Sequence, residues 1–369
     1  MGKRLMNGIM LITVVLGLSL FILKGYHALQ SDNSVLFTFS VTSDSQVDLD
    51  DPQIFEQEKK WGVRSSVLNR MLGEIQEQKP QMLFFNGDAI DGNTKGDASK
   101  LDSQYAYWRG NIARLIESGI YVFPIPGNHE MQDTDEKTRK HVVTSLNEDS
   151  WRKNMGDLIP DKKLWEELMS EPFSTSSWSD INYAQADDDG ILSDQRKLSY
   201  SFDFKDSHFI VVNSFAMGNE YQMPLMRLKE DIFDAKRRGV KHIFIFGHLP
   251  AFSYKFDASS VARGLDVNVE ARDAFWKLVE ESKATYFCGH EHVFYASQPN
   301  GSKAYQIISG PAGGPFKSEE PVRNPDLLKY SWVNVKVYKD GKVHIDAFGF
   351  DDNGGKTSVL KCWDLESGF

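Results

Sequence analysis

Four units, each an amphipathic helix followed by an apolar strand, stand out in the pattern of hydrophobic and polar positions. In the first unit, apolar residues recur at helical spacing between Lys59 and Gln78, and an apolar run follows at 81–86. A polar loop that contains glycine follows each strand and ends the regular pattern. The other three helix and strand pairs cover residues 103–119 and 120–126, 224–239 and 240–246, and 270–282 and 284–288.

This alternation predicts an α/β fold. Strands that are apolar along their whole length are expected where both faces of a sheet are covered, as in layered α/β proteins. Other patterns predict an antiparallel hairpin at 197–214, with its turn at Lys205–Ser207. Three further strands are predicted within 303–310, 330–338 and 342–350.

The domain organisation follows from where these patterns start and stop. Residues 31–350 are predicted to form one main domain. Within it, residues 131–200 are mostly polar and are expected to form an insertion that covers or borders a site. Residues 351–369 show little pattern and are expected to form a loose C-terminal tail.

Residues 1–30 are predicted to be a signal anchor or a signal peptide. Lys3 and Arg4 precede the uncharged segment Leu5–Leu23, which as a helix would span about 28 Å, close to the roughly 30 Å hydrocarbon core of a membrane. The residues that follow lack a clear cleavage site, so the pattern favours an uncleaved anchor. The basic start keeps the N terminus cytoplasmic, so the main domain is expected outside the cytoplasm, anchored or, after cleavage, secreted.

Composition excludes some classes of function. The chain has 369 residues, 41% of them hydrophobic, and a formal net charge of −10. An acidic chain is poorly suited to a nucleic-acid surface, which needs clustered lysine and arginine. Only two cysteines occur, Cys288 and Cys362, so neither a disulfide framework nor a cysteine-based zinc site is expected.

The loops after the strands carry side chains that can bind metal ions. In open α/β sheets, sites form at the carboxyl ends of strands, so these loops are expected to meet at one edge. Each loop alone could be an ordinary polar turn, but five such loops in one chain favour a common site. The candidate residues are Asp44, Gln46, Asp88, Asn128, His129, His248, His290 and His292.

These residue types suit a two-metal hydrolytic site. Two cations about 3.5–4 Å apart need a bridging anion, and one aspartate can supply it; Asp88 is the candidate. Neutral histidine and asparagine ligands leave the centre positively charged for a phosphate. A metal-activated water then serves as the nucleophile, and His129 can donate a proton near the leaving oxygen.

The order of the motifs resembles the calcineurin-like metallophosphoesterase superfamily. The resemblance spans residues 36 to about 315 and implies a four-layer α/β/β/α sandwich with mixed sheets and a metal centre between them. The motifs are Asp-x-Gln at 44–46, Gly-Asp-x-x-Asp at 87–91, Gly-Asn-His-Glu at 127–130, Gly-His at 247–248 and Gly-His-x-His at 289–292.

The resemblance also implies a role for each site residue. His129 matches the catalytic histidine of the family, which contacts substrate and protonates the leaving group. The implied ligands of the first metal are Asp44, Gln46, Asp88 and His292, and those of the second are Asp88, Asn128, His248 and His290.

Two positions depart from related patterns. Gln46 stands where the family usually has histidine, and its amide oxygen is a harder and weaker ligand than imidazole. Mn or Fe ions are therefore favoured over Zn as the two divalent or trivalent cofactors. Asp91 stands where purple acid phosphatases carry a tyrosine, so no tyrosinate–iron colour is expected.

The function expected from the sequence is metal-dependent hydrolysis of a phosphate ester, as a phosphatase or a phosphodiesterase. A phosphorylated small molecule or lipid headgroup is the expected substrate, and the N-terminal segment is the expected membrane partner. The alternative is a metal-poor, non-catalytic relative that binds phosphorylated ligands or proteins; the substitution at Gln46 is the observation in its favour.

Overall fold

The computed structural model describes residues 34–47, 54–159, 161–171, 178–179, 189–254, 264–316, 328–351 and 355–365. The predicted N-terminal anchor at 1–30 lies outside these ranges. Within them, no helix is both long enough and apolar enough to cross a membrane. The predicted domain limits stay a prediction.

The described residues form fifteen strands and seven α-helices, numbered in chain order. The strands are β1 Val35–Thr42, β2 Met82–Asn86, β3 Tyr121–Ile125, β4 Gln132–Thr134, β5 His141–Val143, β6 Trp178–Ser179, β7 Tyr200–Phe204, β8 Ser207–Val211, β9 His242–Phe246, β10 Thr285–Cys288, β11 Tyr295–Ser297, β12 Gln306–Ile308, β13 Tyr330–Tyr338, β14 Val343–Phe350 and β15 Ser358–Leu365. The helices are α1 Ile54–Gln78, α2 Ala98–Glu117, α3 Asn128–Met131, α4 Ser145–Met155, α5 Lys162–Met169, α6 Leu225–Arg238 and α7 Val269–Glu281.

Two mixed sheets form the body of the molecule. The first has the strand order β15-β14-β13-β1-β2-β3, and β1, β2 and β3 run parallel. The second has the order β11-β12-β10-β9-β8-β7-β6, and β12, β10, β9 and β8 run parallel. A separate hairpin pairs β4 with β5. The parallel strands therefore form the middle of the second sheet and one end of the first, where β3 is the edge strand.

Packing on both faces of the sheets explains why the parallel strands are apolar along their whole length. The ring of Phe84 in β2 stacks on Phe246 of the opposite sheet, with 3.9 Å between ring centroids. Its neighbour Phe85 points the other way and meets Trp108 of α2 at 5.1 Å. Successive strand residues face opposite sides, so one faces the other sheet and the next faces a helix. This is the predicted layered sandwich of helices outside and sheets inside.

Capping interactions fix the ends of the helices. The Asp97 carboxylate accepts hydrogen bonds from the backbone nitrogens of Ser99 and Lys100 at the start of α2, at 3.0 and 3.3 Å. At the end of α6, Gly239 takes a left-handed conformation with φ 87°, which a residue without a side chain adopts at little cost. Such caps fix the lengths of the helices that cover the sheets.

The predicted elements agree with the structure, with one correction. The predicted hairpin at 197–214 is confirmed as β7 and β8, and the three predicted later strands are β12, β13 and β14. The expectation of a loose tail after Phe350 is wrong, because β15 pairs antiparallel with β14 along its length. β15 is an edge strand that leaves most of its side chains exposed. The sequence of β15 therefore lacks the run of apolar residues that marks the buried strands.

Candidate metal centre

The candidate residues lie in loops at the carboxyl ends of five parallel strands, three from one sheet and two from the other. The loop after β1 continues the parallel pairing with the loop after β2: Asp44 N donates to Gly87 O at 3.0 Å, and Gln46 N donates to Asp88 O at 2.8 Å. Backbone hydrogen bonds therefore set the position of the first loop against the second before any side chain contributes.

Left-handed backbone conformations are concentrated in these loops. Residues other than glycine seldom have positive φ, and when they do, the surrounding structure must hold them there. Five of the seven predicted metal ligands have it. Their φ angles are 59° for Asp44, 44° for Gln46, 53° for Asp88, 73° for His290 and 53° for His292.

One group of ligand atoms surrounds Asp88 on the side of the second sheet. His248 Nε2 lies 3.2 Å from Asp88 Oδ2, 3.1 Å from Asn128 Oδ1 and 3.2 Å from His290 Nδ1. His248 Nδ1 donates to Asn86 O at 2.7 Å, which leaves Nε2 as the ring nitrogen that faces the group. Asp88, His248 and His290 are close enough to hold one ion together.

A second group forms on the other side of Asp88. Asp44, Asp88 and His292 also offer ligand atoms within 4.8 Å of one another. His292 Nε2 lies 3.3 Å from Asp44 Oδ1, and the opposite ring nitrogen of His292 faces Pro315 O. Asp88 is thus shared by both groups, as expected for a bridging carboxylate.

Gln46 reaches the middle of the second group with its amide. Its Nε2 lies 3.3 Å from Asp88 Oδ2 and 3.4 Å from His292 Nε2. An amide nitrogen has no free lone pair for a metal, so ligation by Gln46 requires the amide to rotate and present Oε1 at this position. The structure therefore places Gln46 in the site and leaves its role as a ligand a prediction.

The electrostatics of the buried pair Asp88 and His248 favour their charged forms. Burial alone would raise the pKa of Asp88, but His248 and His129 hold it well below its usual range. Burial alone would lower the pKa of His248, but the Asp88 carboxylate raises it to about 9. A cation bound between them would replace that proton as the partner of Asp88.

His129 lies beside the two groups and is more accessible than Asp88 and His248. Its side chain is 28% exposed, against 1% for Asp88 and 0% for His248. Its Nδ1 donates to Asp91 O, and its Nε2 lies 3.7 Å from Asp88 Oδ2 and 3.0 Å from Gln46 Nε2. Burial lowers the pKa of His129, and the carboxylates of Asp88 and Asp91 outweigh that and raise it.

Glu130 joins two of the loops and was missed by sequence reasoning as a supporting residue. It is fully buried, and its carboxylate accepts from the backbone nitrogens of Asp88 at 2.9 Å, Ile90 at 3.1 Å and Gly127 at 2.7 Å. Burial, with the nearby Asp88 charge, raises the pKa of Glu130 to about 7. The signal was present in the Gly-Asn-His-Glu motif, whose last residue had no assigned role.

Arg64 is a second supporting residue that the sequence did not reveal. Its Nη1 donates to Gln46 O at 2.6 Å and to Asp91 Oδ1 at 3.2 Å, so it links the first two loops. The helical pattern of α1 carried no sign of this contact, which depends on how α1 lies across the sheet. The Asp91 carboxylate contacts Arg64, while its backbone carbonyl orients His129.

The glycine-rich loop at 309–316 comes close to the site through its backbone. Ala312 N donates to Ser43 O at 2.7 Å, and Gly314 N donates to Asp44 O at 2.8 Å. The loop therefore holds the residues around Asp44 from the side opposite β2.

The donor set fits two metal ions. Ligand atoms about 2.1 Å from one ion and at right angles to each other lie about 3 Å apart, which matches the separations around His248. The buried Asp44 Oδ1 accepts no hydrogen bond from the described residues, and such an oxygen is costly unless a cation or water satisfies it. The structure brings all eight predicted side chains together; which of them ligate a metal stays a prediction.

Comparisons with known proteins agree with this geometry. A family model described as calcineurin-like phosphoesterase matches residues 37–294. No curated protein sequence matches the chain.

Two solved structures are similar to this one. A purple acid phosphatase from yellow lupin (Lupinus luteus) seeds has a TM-score of 0.55 at 12% identity, covering 90% of this chain and 54% of its own. The chain thus spans about half the length of that protein. A dimetal phosphatase from Danio rerio has a TM-score of 0.49 at 13% identity, covering 91% of this chain and 100% of its own.

The family match carries more weight than these structural likenesses, because identities this low show the fold alone. It covers more than half of the 369 residues and includes all five loops of the candidate centre. Two candidate groups of metal ligands lie around Asp88, and the chain belongs to the calcineurin-like phosphoesterase family, which is dimetal-dependent.

Proposed function

We propose that this protein hydrolyses a phosphate ester with two metal ions that share Asp88. The proposal rests on one observation: the buried carboxylate of Asp88 belongs to both ligand groups, Asp44–Asp88–His292 and Asp88–His248–His290. Paired cations of this kind, when bound, lower the pKa of a water molecule and neutralise the charge of a phosphoryl group.

The proposed ligands divide between the two ions by their positions. Gln46 belongs with the group Asp44–Asp88–His292 because its amide lies against His292. Asn128 belongs with the group Asp88–His248–His290 because its oxygen lies 3.0 Å from His290 Nδ1. The proposed first set is Asp44, Gln46, Asp88 and His292, and the proposed second set is Asp88, Asn128, His248 and His290. The mixture of oxygen and imidazole ligands favours Mn or Fe, and Zn is the weaker candidate.

His129 is the proposed acid for the leaving group. Its Nδ1 is engaged by Asp91 O, so its Nε2 is the atom that can hold a proton for a substrate. It is partly exposed, whereas Asp88 and His248 are buried. Asp88 Oδ1 accepts from the backbone nitrogen of His129 at 3.1 Å, which keeps the residue beside the centre.

The test compares metal content with turnover. Metal-stripped protein receives Mn²⁺, Fe²⁺, Zn²⁺ or Mg²⁺, and bound metal is counted by mass spectrometry while p-nitrophenyl phosphate and bis(p-nitrophenyl) phosphate hydrolysis is followed. We expect two metals per chain and turnover of at least one ester. Asp88→Asn should lose both, and Asp149→Asn, on an exposed face of α4, should change neither.

The alternative function is a binding module without turnover. The observation in its favour is the amide nitrogen of Gln46, which lies against Asp88 at 3.3 Å and as oriented cannot ligate a metal. Three results together would establish this alternative. The protein would bind phosphorylated ligands, retain fewer than two metals per chain, and hydrolyse neither ester with any of the four metal ions.

We further propose that the enzyme is tethered to a membrane by residues 1–30, with its domain outside the cytoplasm. The support is the uncharged segment Leu5–Leu23 preceded by Lys3 and Arg4. A phosphorylated small molecule or a lipid headgroup is the proposed substrate. Protease added to intact cells should digest the domain, and N-terminal sequencing of the mature protein should find residues 1–30 retained; a domain protected until lysis contradicts the proposal.

A further inference from the structure

A cavity of about 270 Å³ lies at the end of the second sheet opposite the metal centre. It is bordered by the first residues of β9 and β10, His242 and Thr285, and by Tyr305 just before β12. His242 and His248 are six residues apart along β9 and its loop, roughly 20 Å in extended chain. The cavity is therefore separate from the candidate metal site.

His242 borders this cavity and adds no charge to it. The residue is 7% exposed, and its Nε2 is buried without a hydrogen-bond partner among the described residues. Burial lowers the pKa of His242, with a smaller opposing effect from Asp206, so the ring is neutral at ordinary pH. The charge of the cavity is therefore set by its other side chains.

Charged side chains give the cavity a positive balance. Lys283 and Lys303 line it, and Glu280 is the one acidic side chain that lines it among the described residues. Burial lowers the pKa of Lys236, the nearby charge of Lys283 lowers it further, and Glu281 opposes both with a smaller effect. Positive charge is therefore gathered here on a chain whose formal net charge is −10, which favours a ligand with one negative charge.

The remaining walls are apolar and define the size of a ligand. Phe244, Ala304 and Leu365 contribute to them, and the aromatic ring of Tyr305 lies beside Trp363 of β15 at 5.9 Å between centroids. The volume is slightly below the range of about 300–1,000 Å³ that drug-sized ligands occupy. A single ring with one charged group fits such a space.

We propose that this cavity binds a small organic carboxylate with a compact apolar body. The carboxylate would lie at Lys283 and Lys303, and the apolar body would lie against Phe244, Ala304 and Leu365. The walls come from two sheets, with Leu365 of β15 on one side and the starts of β9, β10 and β12 on the other. The site is independent of the phosphoesterase chemistry proposed above.

The test uses 4-hydroxybenzoate, which has one ring, one carboxylate and one hydroxyl. Calorimetric titration of the full-length, metal-loaded protein should give a Kd below about 1 mM. The neutral analogue 4-hydroxybenzyl alcohol should bind at least about tenfold more weakly, because it lacks the charge-assisted bonds to the lysines. Absence of binding by the wild-type protein at several times that concentration overturns the proposal.

Two variants locate the bound carboxylate. Lys283→Gln should weaken binding about tenfold, and Ala304→Phe should abolish it by filling the cavity. Both should keep metal content and p-nitrophenyl phosphate turnover, and the matched control Lys229→Gln, on exposed α6 surface, should bind like wild type. Unchanged binding by Ala304→Phe would place the carboxylate elsewhere, at the metals for example, and contradict the proposal.

Discussion

At the scale of single residues, the chemistry of this protein depends on side chains held in unusual backbone conformations. Gly87 shows how tightly the loops pack: its φ is 83°, and a Cβ there would lie 2.5 Å from His248 Nδ1. Asp88, next in the chain, is also left-handed and is shared by both ligand groups. Positive φ is unfavourable for residues other than glycine, so its occurrence at five candidate ligands indicates that the surrounding structure holds them in place.

Replacing Gln46 tests whether the first loop ligates a metal. Gln46→His should tighten binding of the first ion and shift its preference toward Zn²⁺, because imidazole is the better ligand for zinc. Metal titrations followed by mass spectrometry measure both effects. The companion variant Gln46→Ala should lose metal and activity together. If it keeps both, Gln46 is an ordinary loop residue.

Replacing His129 tests its role as an acid. His129→Gln should lower kcat by about 10²–10⁴ for an alkyl phosphate ester, whose leaving group needs a proton. The loss should be much smaller for p-nitrophenyl phosphate, whose leaving group departs without one. Metal content should stay that of wild type. An equal loss on both esters would show that His129 binds the phosphoryl group without donating a proton.

At the scale of elements, one buried ion cluster connects the hairpin β7–β8 to helix α6. His208 Nδ1 lies 2.6 Å from Asp203 Oδ1, its Nε2 lies 3.0 Å from Asp231 Oδ2, and Arg238 Nε donates to Asp203 Oδ2 at 2.6 Å. Burial lowers the pKa of His208, but the two carboxylates outweigh it and raise the pKa above its ordinary value. The cluster thus fastens a covering helix to the sheet with a protonated histidine.

This raised pKa predicts a pH-dependent contribution to stability. A group whose pKa rises on folding stabilises the fold below its unfolded pKa, and the contribution is lost as pH rises through the folded pKa. His208→Gln should therefore reduce the free energy of unfolding by about 1.5–3 kcal/mol near pH 6, and by less at alkaline pH. Urea unfolding of the variant and wild type at both pH values measures this.

His141→Gln is the matched control for His208, since His141 is exposed in β5. It should leave the free energy of unfolding unchanged at both pH values. A His208→Gln deficit that is the same size at acidic and alkaline pH would contradict a charged histidine, and would assign the effect to packing.

Strand β15 gives a second prediction at this scale. It pairs with β14 over most of its length, and Trp363 packs near Tyr305 of the second sheet. Deleting residues 356–369 should lower Tm by at least about 4 °C, because it removes a whole edge strand. Deleting only residues 366–369 keeps β15 and should have little effect. Equal Tm values for the two deletions would restore the expectation of a loose tail.

At the scale of the whole molecule, the centre lies where the parallel strands of two sheets end. Loops from the first sheet supply Asp44, Asp88 and Asn128, and loops from the second supply His248 and His290. Ions bound here would therefore connect the two halves of the sandwich. Stability and metal content should be coupled, because a ligand that binds only the folded state stabilises it.

Removal of metal tests this coupling. Chelation should lower Tm, and Mn²⁺ returned at about 100 times its Kd should restore about 2.7 kcal/mol of stability for each site that it fills. Calorimetry with and without Mn²⁺ measures the difference. In Asp88→Asn, Tm should no longer respond to Mn²⁺. A wild-type Tm that ignores metal while two ions per chain are bound would show that the two sheets hold together without them.

The sequence alone determined the layered α/β fold, the order of its elements and the eight candidate site residues. These are local matters: helical and strand periodicity, and motif spacing at strand ends, can be read along the chain. It did not reveal the loop-bridging carboxylate of Glu130, the reach of Arg64 to Gln46, or the pairing of β15. Only the tertiary structure decided these, because each depends on which distant backbone atoms approach once the two sheets are packed together.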